Sequence, residues 1–173
     1  MWYTASLIML GLMITLFDFQ SVDDLDTWRV VNDGVMGGVS TSTLVWTNDH
    51  CAKFSGTVSL ENNGGFCSIQ TDFTPRSVDA YSAVRLRVKG DGKRYQFRVK
   101  SQPDQWFSYA QYVQTSGDWE TIVLPFHEFQ PTFRGRSLDR PAYPGQSLGH
   151  LSVLIGNKRN ESFQILIDSI ALQ

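Results

Sequence analysis

The residues that could do chemistry are few and far apart. The three histidines are His50, His127 and His150, and none stands in a spacing that would bring two ligands to one metal. A Ser-His-Asp set is assembled in space rather than in sequence, but the chain has no nucleophile-elbow motif. Each histidine therefore reads as a turn or surface residue. Asp33, Glu61 and Asp168 have the chemistry of paired carboxylates for glycoside hydrolysis. Their scattered positions make structural carboxylates facing arginines the simpler interpretation. Gly37-Gly38 is followed by no Lys-Ser/Thr pair and opens no helix, so it is not a phosphate loop. These observations predict no catalytic residue, no metal and no cofactor, and hence a protein that is not an enzyme.

Recognition chemistry is better represented. Ala83–Lys89 (AVRLRVK) and Arg94–Lys100 (RYQFRVK) alternate apolar and basic residues on either side of Gly90-Asp91-Gly92, a hairpin signal. Matching their apolar faces pairs Leu86 with Phe97 and sets Arg85 opposite Arg98. Like charges directly opposite are unfavourable. Either an anion sits between Arg85 and Arg98, or the two splay into solvent or pair with separate acids. Trp106, Phe107, Tyr109, Tyr112 and Phe133 would make an aromatic platform for a sugar ring, although alternate members of one strand must fill the core.

The stretch Val31–Ser40, VNDGVMGGVS, reads as an ordered loop, neither helix nor strand. Asn32-Asp33-Gly34 and Gly37-Gly38 are turn formers around an apolar Met36. It is either a packed functional loop or a structural corner with a Met plug.

The elements that carry these residues are short strands. Ile14–Phe19, Thr41–Trp46, Cys51–Leu60, Phe66–Phe73, Trp106–Val113, Trp119–Leu124, Leu151–Ile155 and Phe163–Leu172 join the two alternating segments above. Ser21–Trp28 reads as a turn or one helical turn capped by Ser21, with Asp23 and Asp24 where the helix dipole favours anions. Thr74-Pro75-Arg76 reads as a strand break and Phe126–Pro144 as irregular chain. Nine to eleven strands with Gly, Asn and Asp turns predict an all-β, antiparallel two-sheet sandwich, a jelly roll rather than an up-and-down barrel because several connections are long. Cys51–Leu60 and Phe66–Phe73 are expected to form a hairpin through Glu61–Gly65. Cys67 then lies across from Ser59 rather than Cys51, which predicts free thiols.

Length and composition fit one packed domain: 173 residues, 13% aromatic and 18% charged. A formal charge of −2 gives no global basic field for nucleic acid. Residues 1–13 are an apolar leader, and residues 14–173 are expected to form the single sandwich domain. Met1–Phe17 carries no charge but lacks the basic flank and small-residue cleavage site of a signal peptide. It is a signal or anchor, a strand or helix packed on the domain, or an artefact of translation starting at Met9 or Met13. Free thiols favour the cytoplasm; export or membrane anchoring through residues 1–17 is the alternative, and membrane contact is expected only in that case.

Four ordered blocks, Trp28–Ser40, Phe54–Ile69, Trp119–Arg136 and Ile155–Ile170, resemble the family of the thirty-kilodalton complex I intermediate-associated protein. The resemblance extends from about Ile14 onward. It implies a galactose-binding-like β-sandwich and, from the family's mitochondrial members, chaperone-like assembly of NADH:ubiquinone oxidoreductase. By position it points to Asn32, Asp33, Met36, Gly37, Gly38 and Ser40, to Glu61, Asn63, Gly64, Gly65 and Phe66, and to Phe133, Arg134 and Gly135 as motif residues. It implies a protein partner, such as a membrane or respiratory-complex subunit; a carbohydrate-binding module is the alternative. The three motif blocks are expected to cluster in space, with Met36 capping the core or exposed as an anchor.

Overall fold

A computed structural model describes residues 12–173. The leader as far as residue 11, and the side chain of Met36, lie outside the described residues. The strands are β1 (Ile14–Phe17), β2 (Trp28–Asn32), β3 (Thr41–Thr47), β4 (Cys51–Val58), β5 (Cys67–Ser77), β6 (Ala83–Lys89) and β7 (Arg94–Lys100). They continue with β8 (Ser108–Gln114), β9 (Trp119–Pro125), β10 (Gln130–Phe133), β11 (Arg136–Ser137), β12 (Ser147–Ile155) and β13 (Glu161–Leu172). One sheet runs β3-β4-β13-β6-β9, with β1 also paired to β13; the other runs β11-β10-β8-β7-β12-β5-β2. All pairings are antiparallel. This is the two-sheet jelly-roll sandwich that the strand spacing predicts.

The alternation of β6 and β7 places Val84, Leu86 and Val88, and Tyr95, Phe97 and Val99, in the core as anticipated. They meet inward-facing residues of the long strands, among them Leu151, Val153, Ile155, Ile165 and Ile167. Phe54 is fully buried and packs edge-on against Phe163 with ring centroids 4.8 Å apart. Such pairs add specific geometry to the apolar burial that drives the two sheets together.

Two expected hairpins do not form. β4 and β5 lie in opposite sheets, as do β6 and β7. Arg85 faces Val123 and Ala171 across its sheet, and Arg98 faces Ala110 and Ser152 across the other, so the Arg85–Arg98 pair does not exist. Alternation fixes which face of a strand turns inward but not which strand lies beside it. The β6–β7 turn is held as a crossover instead. Asp91 accepts hydrogen bonds from Lys93 Nζ (2.8 Å) and Tyr95 Oη (3.0 Å), and from Gln164 N of β13 (3.0 Å).

Smaller differences have local causes. β5 runs through Pro75 because its pairing with β12 slips between Leu148 and His150, and a bulge tolerates a residue with no N–H. Val31 and Asn32 end a strand, β2, that the turn-rich sequence hides. Phe126–Pro144 is not wholly irregular: it contains a 3-10 turn (Phe126–Glu128) and the β10–β11 hairpin. Ser21–Leu25 is the predicted capped turn, with Ser21 N donating to Asp24 Oδ2 at 2.9 Å.

Cys51 and Cys67 are free and are 1% and 0% exposed, respectively. Burial pushes the Cys67 thiol up to about 11. Both thiols should therefore resist an alkylating reagent in the native protein and react fully once it is denatured without reductant. A denatured, unreduced chain with fewer than two reactive thiols would contradict this arrangement.

Candidate functional site

Three places on the sandwich gather functional side chains. The first is built on the Val31–Ser40 loop. Asp33–Met36 forms a 3-10 turn closed by Gly37 in the left-handed conformation, φ 84°. The turn aims the Asp33 carboxylate inward, where it is 3% exposed. Asp33 accepts from Ser40 N (3.1 Å), Ser40 Oγ (2.5 Å), Gly65 N (2.7 Å) and Phe66 N (3.4 Å). Burial alone would raise this carboxyl, but these hydrogen bonds outweigh it and hold Asp33 below the usual carboxylate range.

Gly38 and Gly64 flank the carboxylate closely. A Cβ on Gly38 would overlap the Asp33 side chain, and one on Gly64 would sit 2.5 Å from Asp33 Oδ2. Asn32 Oδ1 accepts from Ser42 Oγ at 2.7 Å. In the second block, Asn62 and Asn63 take left-handed φ values of 54° and 60°, which Asn tolerates better than most residues. Glu61 is exposed and does not touch the carboxylate. Asn160, from the fourth block, accepts from Leu60 N at 2.8 Å. These contacts form a structural knot, with every oxygen of Asp33 already engaged. Asp33 faces N–H and O–H donors rather than an arginine. Asp168 lies within β13, 3.8 Å from Arg87, whereas Asp33 and Glu61 lie in the loops joining the sheets, so the three candidate carboxylates do not converge.

The second place is the tip of the β10–β11 hairpin. Arg134 and Gly135 take φ values of 48° and 75°, the pair of positive values that closes a two-residue turn. Phe133 packs edge-on against Trp106 at 5.0 Å, and both rings stay open, at 37% and 53% exposure. The Arg134 guanidinium lies 5.2 Å from the Phe133 ring and that of Arg140 lies 5.4 Å from Trp106. Phe107 and Tyr109 continue inward toward Tyr143 rather than extending a surface platform. Five strand spacings separate β10 from β2, roughly 24 Å at about 4.8 Å per strand. The Phe133-Arg134-Gly135 block therefore does not join the other two, and the expected single cluster is two separate features.

The third place was not legible as a site. The outer face of the seven-stranded sheet carries Arg29, Gln70, Ser152, Arg98 and Ala110 in one cross-strand row. Asp72, His150 and Lys100 lie in the next row. His150 is only 3% exposed, so it is not the turn or surface residue expected; His50 and His127 are. Asp72 receives Arg29 Nη2 at 2.6 Å and faces His150 Nδ1 at 2.6 Å. Burial alone would raise Asp72, and the bonds from His150 and Arg29 reverse this, holding it low. Burial pushes His150 below its usual value, against the opposing pull of Asp72. This lowering favours the neutral imidazole, and against the Asp72 carboxylate the tautomer that bonds is the one that donates from Nδ1. The alternation of β12 carried a signal for this face, because His150 and Ser152 interleave with core residues Leu151 and Val153.

Residues 17–167 match the family described as Complex I intermediate-associated protein 30 (CIA30). The chain belongs to that family. It is 27% identical over 166 residues to an uncharacterized protein of Schizosaccharomyces pombe, covering 83% of this chain and 76% of the relative. It is 25% identical to the mitochondrial complex I intermediate-associated protein 30 of Drosophila melanogaster, over 91% of this chain and 62% of that protein. The Mus musculus protein of the same name is 25% identical over 71% of this chain and 44% of its own length. The chain thus spans less than two thirds of these two mitochondrial relatives. Among solved structures, the family 11 carbohydrate-binding module of the cellulase Lic26A-Cel5E of Clostridium thermocellum superposes with a TM-score of 0.67 at 17% identity, over 92% of this chain and 93% of the module. At that identity the likeness is one of fold.

Replacing Asp33 by alanine should cost about 2–4 kcal/mol in denaturant unfolding, since it strands several buried donors at once; a cost within experimental error would refute the knot. Titration gives a second test. The unfolded chain binds more protons at His150 as pH falls below about 6.5, and at Asp33 and Asp72 below about 4, so stability should decline in both windows. His150→Gln should flatten the upper window in equilibrium unfolding measured against pH; an unchanged slope would show that His150 titrates normally.

Proposed function

We propose that this domain is a non-catalytic protein-binding module that serves in assembly of a respiratory NADH:ubiquinone oxidoreductase; its mitochondrial relatives carry the name complex I intermediate-associated protein 30. The observation that carries the proposal is the open aromatic pair Trp106–Phe133 with the guanidiniums of Arg134 and Arg140 beside it. Trp and Arg are the residue types that most often anchor protein interfaces, and a hairpin tip presents them without competing backbone. The edge strand behind them is only two residues long, so the surface recognises side chains rather than offering a free ladder.

A carbohydrate is the second reading. It is favoured by the exposure of the Trp106 ring, which leaves room for a sugar to stack.

Affinity capture of the tagged chain from its native host should recover subunits of the oxidoreductase. Trp106→Ala or Arg134→Ala should reduce that recovery by about tenfold or more. Capture unaffected by both substitutions would remove the proposed surface. A saturable change in Trp fluorescence on titration with oligosaccharides, lost in Trp106→Ala, would replace it with the carbohydrate reading.

A further inference from the structure

The outer face of the seven-stranded sheet holds more positive charge than it neutralises. Arg29 is paired with Asp72. Arg98 and Lys100, in contrast, form no ion pair among the described residues. Arg98 Nε and Nη2 donate to a neutral acceptor, Gln96 Oε1, at 3.0 and 2.6 Å. That amide belongs to the same strand and fixes the guanidinium in place. Arg98 Nη1 and Lys100 Nζ make no hydrogen bond within the described residues, yet neither atom is sealed from solvent.

The floor around them is low. Ser152 and Ala110 flank Arg98 on the neighbouring strands, and His150 flanks Lys100. Burial lowers both basic groups from their usual values; Asp72 and Asp104 offset this for Lys100 only in part. A partly buried, pre-oriented cation with only a neutral partner is costly in isolation and is relieved by an incoming carboxylate, which Arg can bind with two parallel hydrogen bonds.

We propose that this face, centred on Arg98 and Lys100, binds an acidic peptide segment of the protein partner. The inference rests on the protein-binding role proposed above and names the chemistry of the partner. Charge complementarity supports it: Arg98 and Lys100 are both cationic and without an ion pair among the described residues, on a chain whose formal charge is −2. A peptide suits the face better than a sugar acid, because its exposed ring, that of Tyr112, already carries a guanidinium. Arg94 covers the Tyr112 ring at 4.4 Å, and Phe107 and Tyr109 pack toward Tyr143. The face also continues toward the hairpin tip. Lys100 ends β7 beside the start of β8, and Trp106 lies two residues before β8 begins. One partner segment can therefore reach both places.

The test uses the full chain and a fluorescein-labelled peptide of alternating Glu and Ser, read by anisotropy at low and high ionic strength. Salt-sensitive binding is expected, weakened about tenfold or more by Arg98→Gln and by Lys100→Gln. Lys53→Gln, a charge-matched change on the opposite sheet, should leave it unchanged. Lys100→Gln keeps the test sound if Arg98→Gln impairs folding, which thermal unfolding of each variant reports. No binding by the native chain, binding by both variants as tight as by the native chain, or tighter binding of an oligogalacturonate than of the peptide would overturn the proposal. Capture from the host separates the two levels. If Trp106→Ala loses the oxidoreductase subunits while Arg98→Gln and Lys100→Gln retain them, the acidic-segment inference fails and the protein-binding role stands. If none of the three changes matters, the protein-binding role fails as well.

Discussion

The Asp33 carboxylate is the contact on which both crossovers at one end of the sandwich depend. The Val31–Ser40 loop carries the chain from β2 in one sheet to β3 in the other, and Ser59–Phe66 returns it from β4 to β5. A sandwich has no ladder hydrogen bonds across its two layers, so the backbone donors of its crossing loops need other acceptors. One buried acid supplies them, accepting from Ser40 on its own loop and from Gly65 and Phe66 on the other. Gly38 and Gly64 are glycines because the carboxylate occupies the space a Cβ would need. The densest motif of the chain is thus explained by folding, and its oxygens are fully used there.

With the oxygens of Asp33 committed to structure, the groups proposed for recognition lie on the seven-stranded sheet and its hairpin tip. At its β10–β11 end two aromatic rings stay open beside arginines, and along its outer face Arg98 and Lys100 form no ion pair among the described residues. Asp72, His150 and Arg29 form a closed network beside them, which satisfies its own charges and stiffens the sheet. Strand register sets Arg98 and Lys100 on this surface, while the turn and loops around β10 and β11 set Trp106, Arg134 and Arg140.

The sequence made the layers legible because period-2 alternation states directly which side chains face inward, as β6 and β7 do from end to end. It did not make lateral neighbours legible. Gly90-Asp91-Gly92 has the composition of a tight hairpin, yet Asp91 ties the turn to Gln164 on β13 and the chain crosses between sheets. The same ambiguity hid Arg98. Beside Arg85 it suggested an anion shared by two arginines; in the fold it stands alone on the opposite sheet, and the case for an anion now rests on its own missing partner. His150 was obscured for a related reason, since a polar residue on the outer face of a central strand is usually wet, whereas here it is covered. The split between the Asp33 blocks and Phe133-Arg134-Gly135 depends on sheet order, which no local pattern encodes.

The division between a structural knot and a recognition face is tested most directly by hydrogen–deuterium exchange of the chain with and without its captured partner. Binding should slow exchange in residues 94–112 and 130–140 and leave residues 31–40 and 59–66 unchanged. Protection confined to residues 31–40 and 59–66, with the seven-stranded face unaffected, would contradict it.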